Sequence, residues 1–557
     1  MKIETPTLRT CLALLALWTA TLAPAAAYAG LAEDLERLLA TSYEADEPGA
    51  AMIVVDDGEV VYRGARGMAD LELGVPLEPD MVFRLGSITK QFTCAAILLL
   101  EEQGKLSVAD PITEHLPGYP VHGHTITVEH LMTHTSGIFS YTSIPGYMDQ
   151  EIRKDLTTAQ LVDAFKSQEM DFAPGERWSY SNSGYVLLGA IIEKVSGVSY
   201  AEFLRVNVFE PLGMKSTHYG GPQLIPRRAA GYGRNDDGTY VNARYLSMTQ
   251  PHAAGALLST VDDLARWDAA LYGDELLSEA SRRRMFTAAK LNSGEATTYG
   301  YGFAVGDLRG VPAVFHGGGI FGFTTYGIRV PDERVYVAVL SNGAPVDPGL
   351  VARKAAAIAV GKPFPEWRRI EVDPEILGRY VGVYRIDEST TRTVTIEDGR
   401  LYTMRSGSQR LEALPHSETG FFYEGSLTHF VFVRDDQGKV THMLMYPEGA
   451  DEPEKAVLTD EPIERRSAVE VDASLLDRYV GRYELSPSFA ITVTREGGQL
   501  FVQATGQPRF EVFPESETKF FLKVVDAQVT FVTGAEGRAE ALILHQGGID
   551  QRGERVD

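Results

Sequence analysis

Two patterns of apolar and polar positions divide the chain. From about residue 50 to 365, β-rich runs exchange with segments of helical spacing. "AMIVVDDGEVVYRGA" holds two β-rich runs around Asp57-Gly58, which predicts a tight hairpin. "SITKQFTCAAILLLEEQGKL" is apolar on nearly every side from Cys94 to Leu100 and stops at Gly104, which predicts a buried helix with a glycine stop. "TTAQLVDAFKSQ" and "SGYVLLGAIIEKVSGVS" read as further helices. Thr260 with Asp263 makes a capping-box start for "VDDLARWDAAL". "VPAVFHGGGIFGFTTYGIRV" and "RVYVAVLSNG" read as adjacent sheet strands. Strands at both ends with helices between predict one mixed sheet built from both ends of the segment, with a helical part: an α/β (α+β) domain.

After "GKPFPEWRRIEVD" the pattern changes to short alternating strands separated by Gly and Asp turns. It also repeats, at a constant offset of 99 residues: "LGRYVGVY" at 377–384 returns as "LDRYVGRY" at 476–483, and "PHSETGFF" at 415–422 as "PESETKFF" at 514–521. Matches this widely spaced without a shift mean a duplicated unit. Each copy suits a small antiparallel barrel or sandwich, here taken as a lipocalin-like β-barrel. The expected copies cover 373–460 and 472–557, joined by an acidic, Pro-containing linker near 449–471.

Residues 1–29 stand apart. Lys2 and Arg9 precede the short apolar run "CLALLALWTATLAP", and "AAAYAG" offers a cleavage site after Ala29. This reads as a secretory signal peptide, with the protein in the periplasm or secreted and no membrane insertion after the leader is removed. Its loss leaves Cys94 as the single cysteine, so no internal disulfide is expected. The formal charge of −24 argues against nucleic acid as a partner. The sequence leaves the oligomeric state open.

Ser87 and Lys90 lie in "RLGSITKQFT", one helical turn apart at the start of the apolar helix. Held there and partly desolvated, the ammonium can lose affinity for its proton or stay charged and stabilise an anion. A second Ser-x-x-Lys pair, Ser516 and Lys519, reads as a turn between strands, because Lys519 is Gly420 in the other copy of the repeat. "WSYSNSGY" supplies Tyr180 and Asn182; a second Tyr-x-Asn, in "TYVN" at 239–242, reads as a hairpin strand. "FHGGGIFG" supplies His316 and three glycines, which signal a close backbone approach or a bulge along which a substrate can lie. His130 and His134, four apart, are at zinc spacing, but no ligand-rich third segment accompanies them.

Taken in order, Ser-x-x-Lys, Tyr-x-Asn and a basic residue followed by x-Gly resemble the serine β-lactamase and penicillin-binding-protein superfamily. "LMTHTSGI", "FAPGERWSYSNSGYVLLGAIIEKVSG", "EPLGMKSTHY" and "GALLSTVDDLARW" look like its class C-like branch. The resemblance covers about 35–360, inside a hydrolase domain taken as 30–365. The third motif reads His316-Gly317-Gly318 rather than Lys-Thr-Gly, which is similar to D-aminopeptidases and related esterases. The resemblance implies that Ser87 attacks a carbonyl and that Tyr180, its phenol pKa lowered by Lys90, takes the proton. It further implies that Asn182 orients Lys90 and the substrate and that His316 polarises Tyr180 or binds substrate. The amides of Ser87 and Gly319 would hold the oxyanion, with Gly318 at the substrate edge. No metal or cofactor is implied. The expected activity is cleavage of amide bonds in small peptides, some with D- or non-standard residues. Alternatives are a carboxylesterase with the same site, a β-lactamase or DD-carboxypeptidase, and a ligand-binding barrel protein carrying an inactive hydrolase domain.

Overall fold

The computed structural model describes residues 30–235, 237–463, 466–486, 489–534 and 537–556. The expected signal peptide lies outside the described residues. No helix among the described residues is long and apolar enough to cross a membrane. The described residues form two compact units: 30–141 with 151–364, and 142–150 with 365–556.

The first unit is built on a six-stranded sheet drawn from both ends of its segment. The strands are β1 (Ala50–Asp56), β2 (Glu59–Arg66), β3 (Ala304–Leu308), β4 (Val311–Ile320), β5 (Phe323–Val330) and β6 (Val335–Ser341). Their order is β3-β4-β5-β6-β1-β2, so β1 closes antiparallel on β6, with Ala50 opposite Ser341 and Asp56 opposite Val335. Asp57 and Gly58 both take positive φ (47° and 84°), as a two-residue turn matched to strand twist requires. One core joins the sheet to a helix over 30–42 through Leu35 and Leu39, and to the Pro348–Ala359 helix through Val351, Ala352 and Ala355.

The helical part is centred on α1 (Thr89–Glu102) and α2 (Asn182–Ser196). In α1 every residue from Thr89 to Leu98 is buried, so this part of the helix lacks a solvent face, in line with its all-round apolar pattern. Gly104 (φ 67°) follows its end, and Gly197 (φ 77°) ends α2 in the left-handed conformation. The Val261–Ala270 helix is capped by Thr260, whose hydroxyl accepts the Asp263 N–H. The reciprocal half of the expected capping box is absent. The Asp263 carboxylate instead accepts the Ser216 N–H at 2.7 Å and the Thr217 hydroxyl at 2.9 Å, two donors that a side chain reaching back to Thr260 would leave buried. "TYVN" is a hairpin strand, Tyr240–Asn242 against Tyr232–Arg234.

The second unit contains two closed antiparallel barrels of eight strands each. One spans Gly382–Leu458 and closes through Tyr384 opposite Leu458; the other spans Gly481–Arg555 and closes through Tyr483 opposite Arg555. Each has a single apolar interior. Between the strands Arg509–Pro514 and Lys519–Phe521, Ser516 accepts the Lys519 N–H with its hydroxyl at 3.1 Å. The second Ser-x-x-Lys pair is therefore a turn.

Candidate active site

Ser87 lies in the single 3-10 turn Gly86–Ile88 that leads directly into α1. That turn is clamped between the sheet and the Leu257–Ser259 strand. The Thr325 hydroxyl of β5 donates to the Leu85 carbonyl at 2.8 Å, and the Leu85 N–H donates to Leu257 O at 2.8 Å. Gly86 has φ 55°, and a Cβ on it would sit 2.9 Å from the Gly319 nitrogen. A Cβ on Gly318 would sit 2.0 Å from the Leu85 carbonyl oxygen. The glycines of β4 thus permit a close approach of strand to serine turn, the first of the two readings of "HGGG". β3 reaches only to Ala304, opposite Phe315. From His316 to Ile320, β4 has no strand on that side among the described residues, and Gly319 is exposed.

Lys90 is fully buried. Its Nζ lies 3.0 Å from Ser87 Oγ and donates to Asn182 Oδ1 at 2.9 Å and to the Ala254 carbonyl at 2.8 Å. Asn182 is the first residue of α2, its backbone N–H held by the Ser140 hydroxyl at 3.1 Å. Burial holds the Lys90 ammonium well below the ordinary lysine value, against a smaller opposing pull from Cys94. A neutral amine has two N–H groups and one lone pair. The two N–H groups are matched by two acceptor-only oxygens, which leaves the lone pair to Ser87.

Tyr180 is hydrogen-bonded to Ser87, and its ring stands 4.7 Å from Lys90 Nζ. Here the expectation of a lowered phenol pKa fails. Burial drives the Tyr180 phenol well above its usual value, and its hydrogen bond with Ser87 only partly offsets this. The expected lowering relied on a charged lysine, and the desolvation that would act on the phenol acts on the lysine too.

His316 is buried and neutral. Burial above all, with a smaller contribution whenever Lys90 is protonated, depresses its pKa to about 4. Nδ1–H donates to the Gly317 carbonyl at 2.6 Å, so Nε2 accepts from the Tyr299 hydroxyl at 2.7 Å. Both ring nitrogens are engaged, so His316 does not polarise Tyr180 through a direct hydrogen bond, and its ring centroid is 6.3 Å from that of Tyr180. The neighbouring Tyr185 hydroxyl donates to Met132 O at 2.7 Å.

Tyr299 is a site residue that the sequence does not announce; in "TTYGYGF" nothing separates it from the 25 tyrosines of the chain. His134, in the "MTHTSG" segment that the sequence places as structure near the site, also borders it. It has φ 59°, its Nδ1 accepts the Ser181 N–H at 3.1 Å, and its ring packs 4.2 Å from Tyr180. His130 Nδ1 meanwhile accepts the Thr127 N–H in the capping box of its own helix. The two histidines therefore serve separate local structures.

Comparison with known proteins matches residues 20–361 to the beta-lactamase family. The chain belongs to that family. Within it, the chain is class C-like and close to the D-aminopeptidases and amidases. It is 34% identical over 444 residues to penicillin-binding protein 4* of Bacillus subtilis, covering 75% of this chain and 97% of the relative. It is 28% identical to a D-aminopeptidase of Gluconobacter oxydans over 60% of this chain and 63% of that enzyme. Among solved structures, the octameric penicillin-binding protein homologue from Pyrococcus abyssi superposes with a TM-score of 0.54 at 24% identity, over 86% of this chain and 99% of the other, a likeness of fold. Residues 368–458 and 465–555 both match one domain of unknown function, DUF3471, which agrees with the duplication. This beta-lactamase-family chain is thus an enzyme of the serine-hydrolase fold.

Proposed function

We propose that the enzyme cleaves small amides and short peptides, including those with D- or non-standard residues, through an acyl-enzyme on Ser87. The observation that carries this reading is the set of three contacts around the buried Lys90 Nζ. Ser87 Oγ attacks the carbonyl carbon while its proton passes to the neutral Lys90. The amides of Ser87 and Gly319 receive the oxyanion. As the C–N bond breaks, the leaving nitrogen takes the proton that burial keeps on Tyr180, and the new phenolate stands beside the new Lys90 ammonium. In deacylation, water gives a proton to Tyr180 and its oxygen attacks the ester. Ser87 leaves with the proton from Lys90, which restores the starting state. Asn182 fixes Lys90, and Gly318 and Gly319 offer the substrate the open edge of β4.

A neutral His316 offers no cation to a substrate carboxylate. This favours substrates without one, and it favours an esterase with the same site as the second reading over a β-lactamase or DD-carboxypeptidase. The relation to D-aminopeptidases supports the amide reading. The leader-like residues 1–29 support an exported protein, and the closed eight-stranded plan supports lipocalin-like barrels. The test is intact mass after fluorophosphonate treatment, with rates on D- and L-aminoacyl amides, short-chain esters and a chromogenic cephalosporin. One adduct, lost in Ser87→Ala, together with faster turnover of amides than of the cephalosporin, is expected. An adduct that persists in Ser87→Ala overturns the assignment.

A further inference from the structure

The two barrels share a strand plan but differ inside. Through their first strands, counterparts lie 99 residues apart: Arg392 pairs with Arg405 in the first barrel and Ile491 with Ala504 in the second. One end of the first barrel is plugged. Arg392 is buried there, with its guanidinium donating to the Tyr423 hydroxyl at 3.4 Å and to Glu454 at 3.5 Å. The Tyr423 and Thr403 hydroxyls share a 2.5 Å hydrogen bond, and Phe430 is fully buried in the same interior.

In the second barrel the counterparts of Arg392, Thr403, Tyr423 and Phe430 are Ile491, Val502, Leu522 and Val529. The final strand has slipped by two residues: Met445 faces Glu454 in the first barrel, whereas its counterpart Leu544 faces Gln551, which is exposed. The plug has no equivalent. In its place is a cavity of about 570 Å³, walled by these four side chains with Phe510 and Leu544. That lies within the range of about 300–1,000 Å³ typical of small-molecule sites.

Polar groups gather at the mouth, where Gln507 is exposed. One rim is the 407–410 turn of the first barrel. Ser408 O accepts the Asp526 N–H at 3.0 Å, Val524 O accepts the Arg410 N–H at 3.0 Å, and Gln546 Nε2 donates to Gly407 O at 2.7 Å. Among the described lining residues there is one cation, Arg410, and no acid. Arg410 is held in place by Glu397 at 2.5 Å and by the face of Tyr402. We propose that the second barrel binds a single-chain aliphatic molecule with an anionic head, its tail among Ile491, Val502, Leu522 and Val529 and its head at the Arg410 rim. Burial of the chain drives binding; Arg410 pairs with Glu397 through Nη1, and its remaining N–H donors, on the one charged residue of the lining, select the head.

The experiment is titration calorimetry of the full chain with dodecanoate. One molecule should bind per chain, equally well in Ser87→Ala, and dodecyltrimethylammonium should bind at least about tenfold more weakly. Leu522→Tyr and Val529→Phe each restore a residue of the first barrel, and each should weaken dodecanoate at least about tenfold while a thermal melt shows a folded protein. Val529→Phe decides the matter if Leu522→Tyr does not fold. Absence of saturable binding to the unaltered protein, undiminished binding in the filled variants, or loss of binding in Ser87→Ala would each overturn the proposal.

Discussion

Burial sets the protonation of Lys90, Tyr180 and His316, and it sets all three towards neutrality. Lys90 and Tyr180 should act as one device. Lys90→Ala and Tyr180→Phe are each expected to lower kcat by orders of magnitude, with the double variant little worse than either; additive losses would separate their roles. Because Lys90 must be neutral to accept the Ser87 proton, kcat/KM should rise with pH along a limb displaced below the ordinary lysine range. His316 gives a stability signature. As pH falls from 6.5, its unfolded form takes up a proton while the folded form, with a pKa of about 4, resists until lower pH. Folding stability is therefore lost between about 6.5 and 4 and is untouched above, by up to about 3 kcal/mol. His316→Gln should flatten that part of the melting-temperature profile; an unchanged profile would mean that another group is responsible. The residue types were legible in the sequence from their order along the chain, but their charges were not. The chain shows that Lys90 follows Ser87 by one turn, whereas the surroundings that bury the pair come from far along the sequence, His134 against the Tyr180 ring and Ala254 against Lys90.

At the scale of elements, the site depends on how closely β4 approaches the turn before α1. Gly318→Ala would drive a methyl into the Leu85 carbonyl, whereas Gly317→Ala meets Tyr326 at an ordinary 3.5 Å. The first should cut acylation by about 100-fold through displacement of the serine turn. The second should leave it nearly unchanged, and equal losses in a stopped-flow acylation assay would refute the distinction. Thr260→Ala should cost about 1 kcal/mol in a denaturant melt, the usual loss for an N-cap. The glycine run signalled a close approach or a bulge, and the 2.0 Å between a Gly318 Cβ and the Leu85 carbonyl decides for the first. Its partner, Leu85, lies more than 230 residues earlier, and no local pattern reveals such a pairing. The Asp263 carboxylate shows the same limit: its position fitted a capping box, but Ser216 and Thr217, brought there by tertiary packing, took its oxygens.

In the molecule as a whole, the duplication extends to individual bonds. The Tyr380 hydroxyl donates to Glu418 O and the Tyr479 hydroxyl to Glu517 O; the Tyr384 hydroxyl donates to Tyr380 O and the Tyr483 hydroxyl to Tyr479 O, all at 2.7–2.8 Å. Tyr384→Phe and Tyr483→Phe should each cost about 1 kcal/mol, and the double variant their sum, since the sites share no partner. A coupled loss in chemical denaturation would mean that the barrels do not keep separate interiors. The repeat was legible because its anchor residues kept their spacing. The slip of the last strand was not, because it lies where the two copies have lost their sequence likeness.

Cys94 sits behind this chemistry on α1, fully buried, its Sγ 3.3 Å from the Tyr185 hydroxyl and its pKa pushed up to about 12 by burial. In a chain without residues 1–29 it is the only thiol. It cannot react until α1 leaves its packing, so it is a clock built into the catalytic unit. The rate at which iodoacetamide adds 57 Da, in roughly neutral buffer, counts the openings of the helix that carries Lys90 and needs no engineered label.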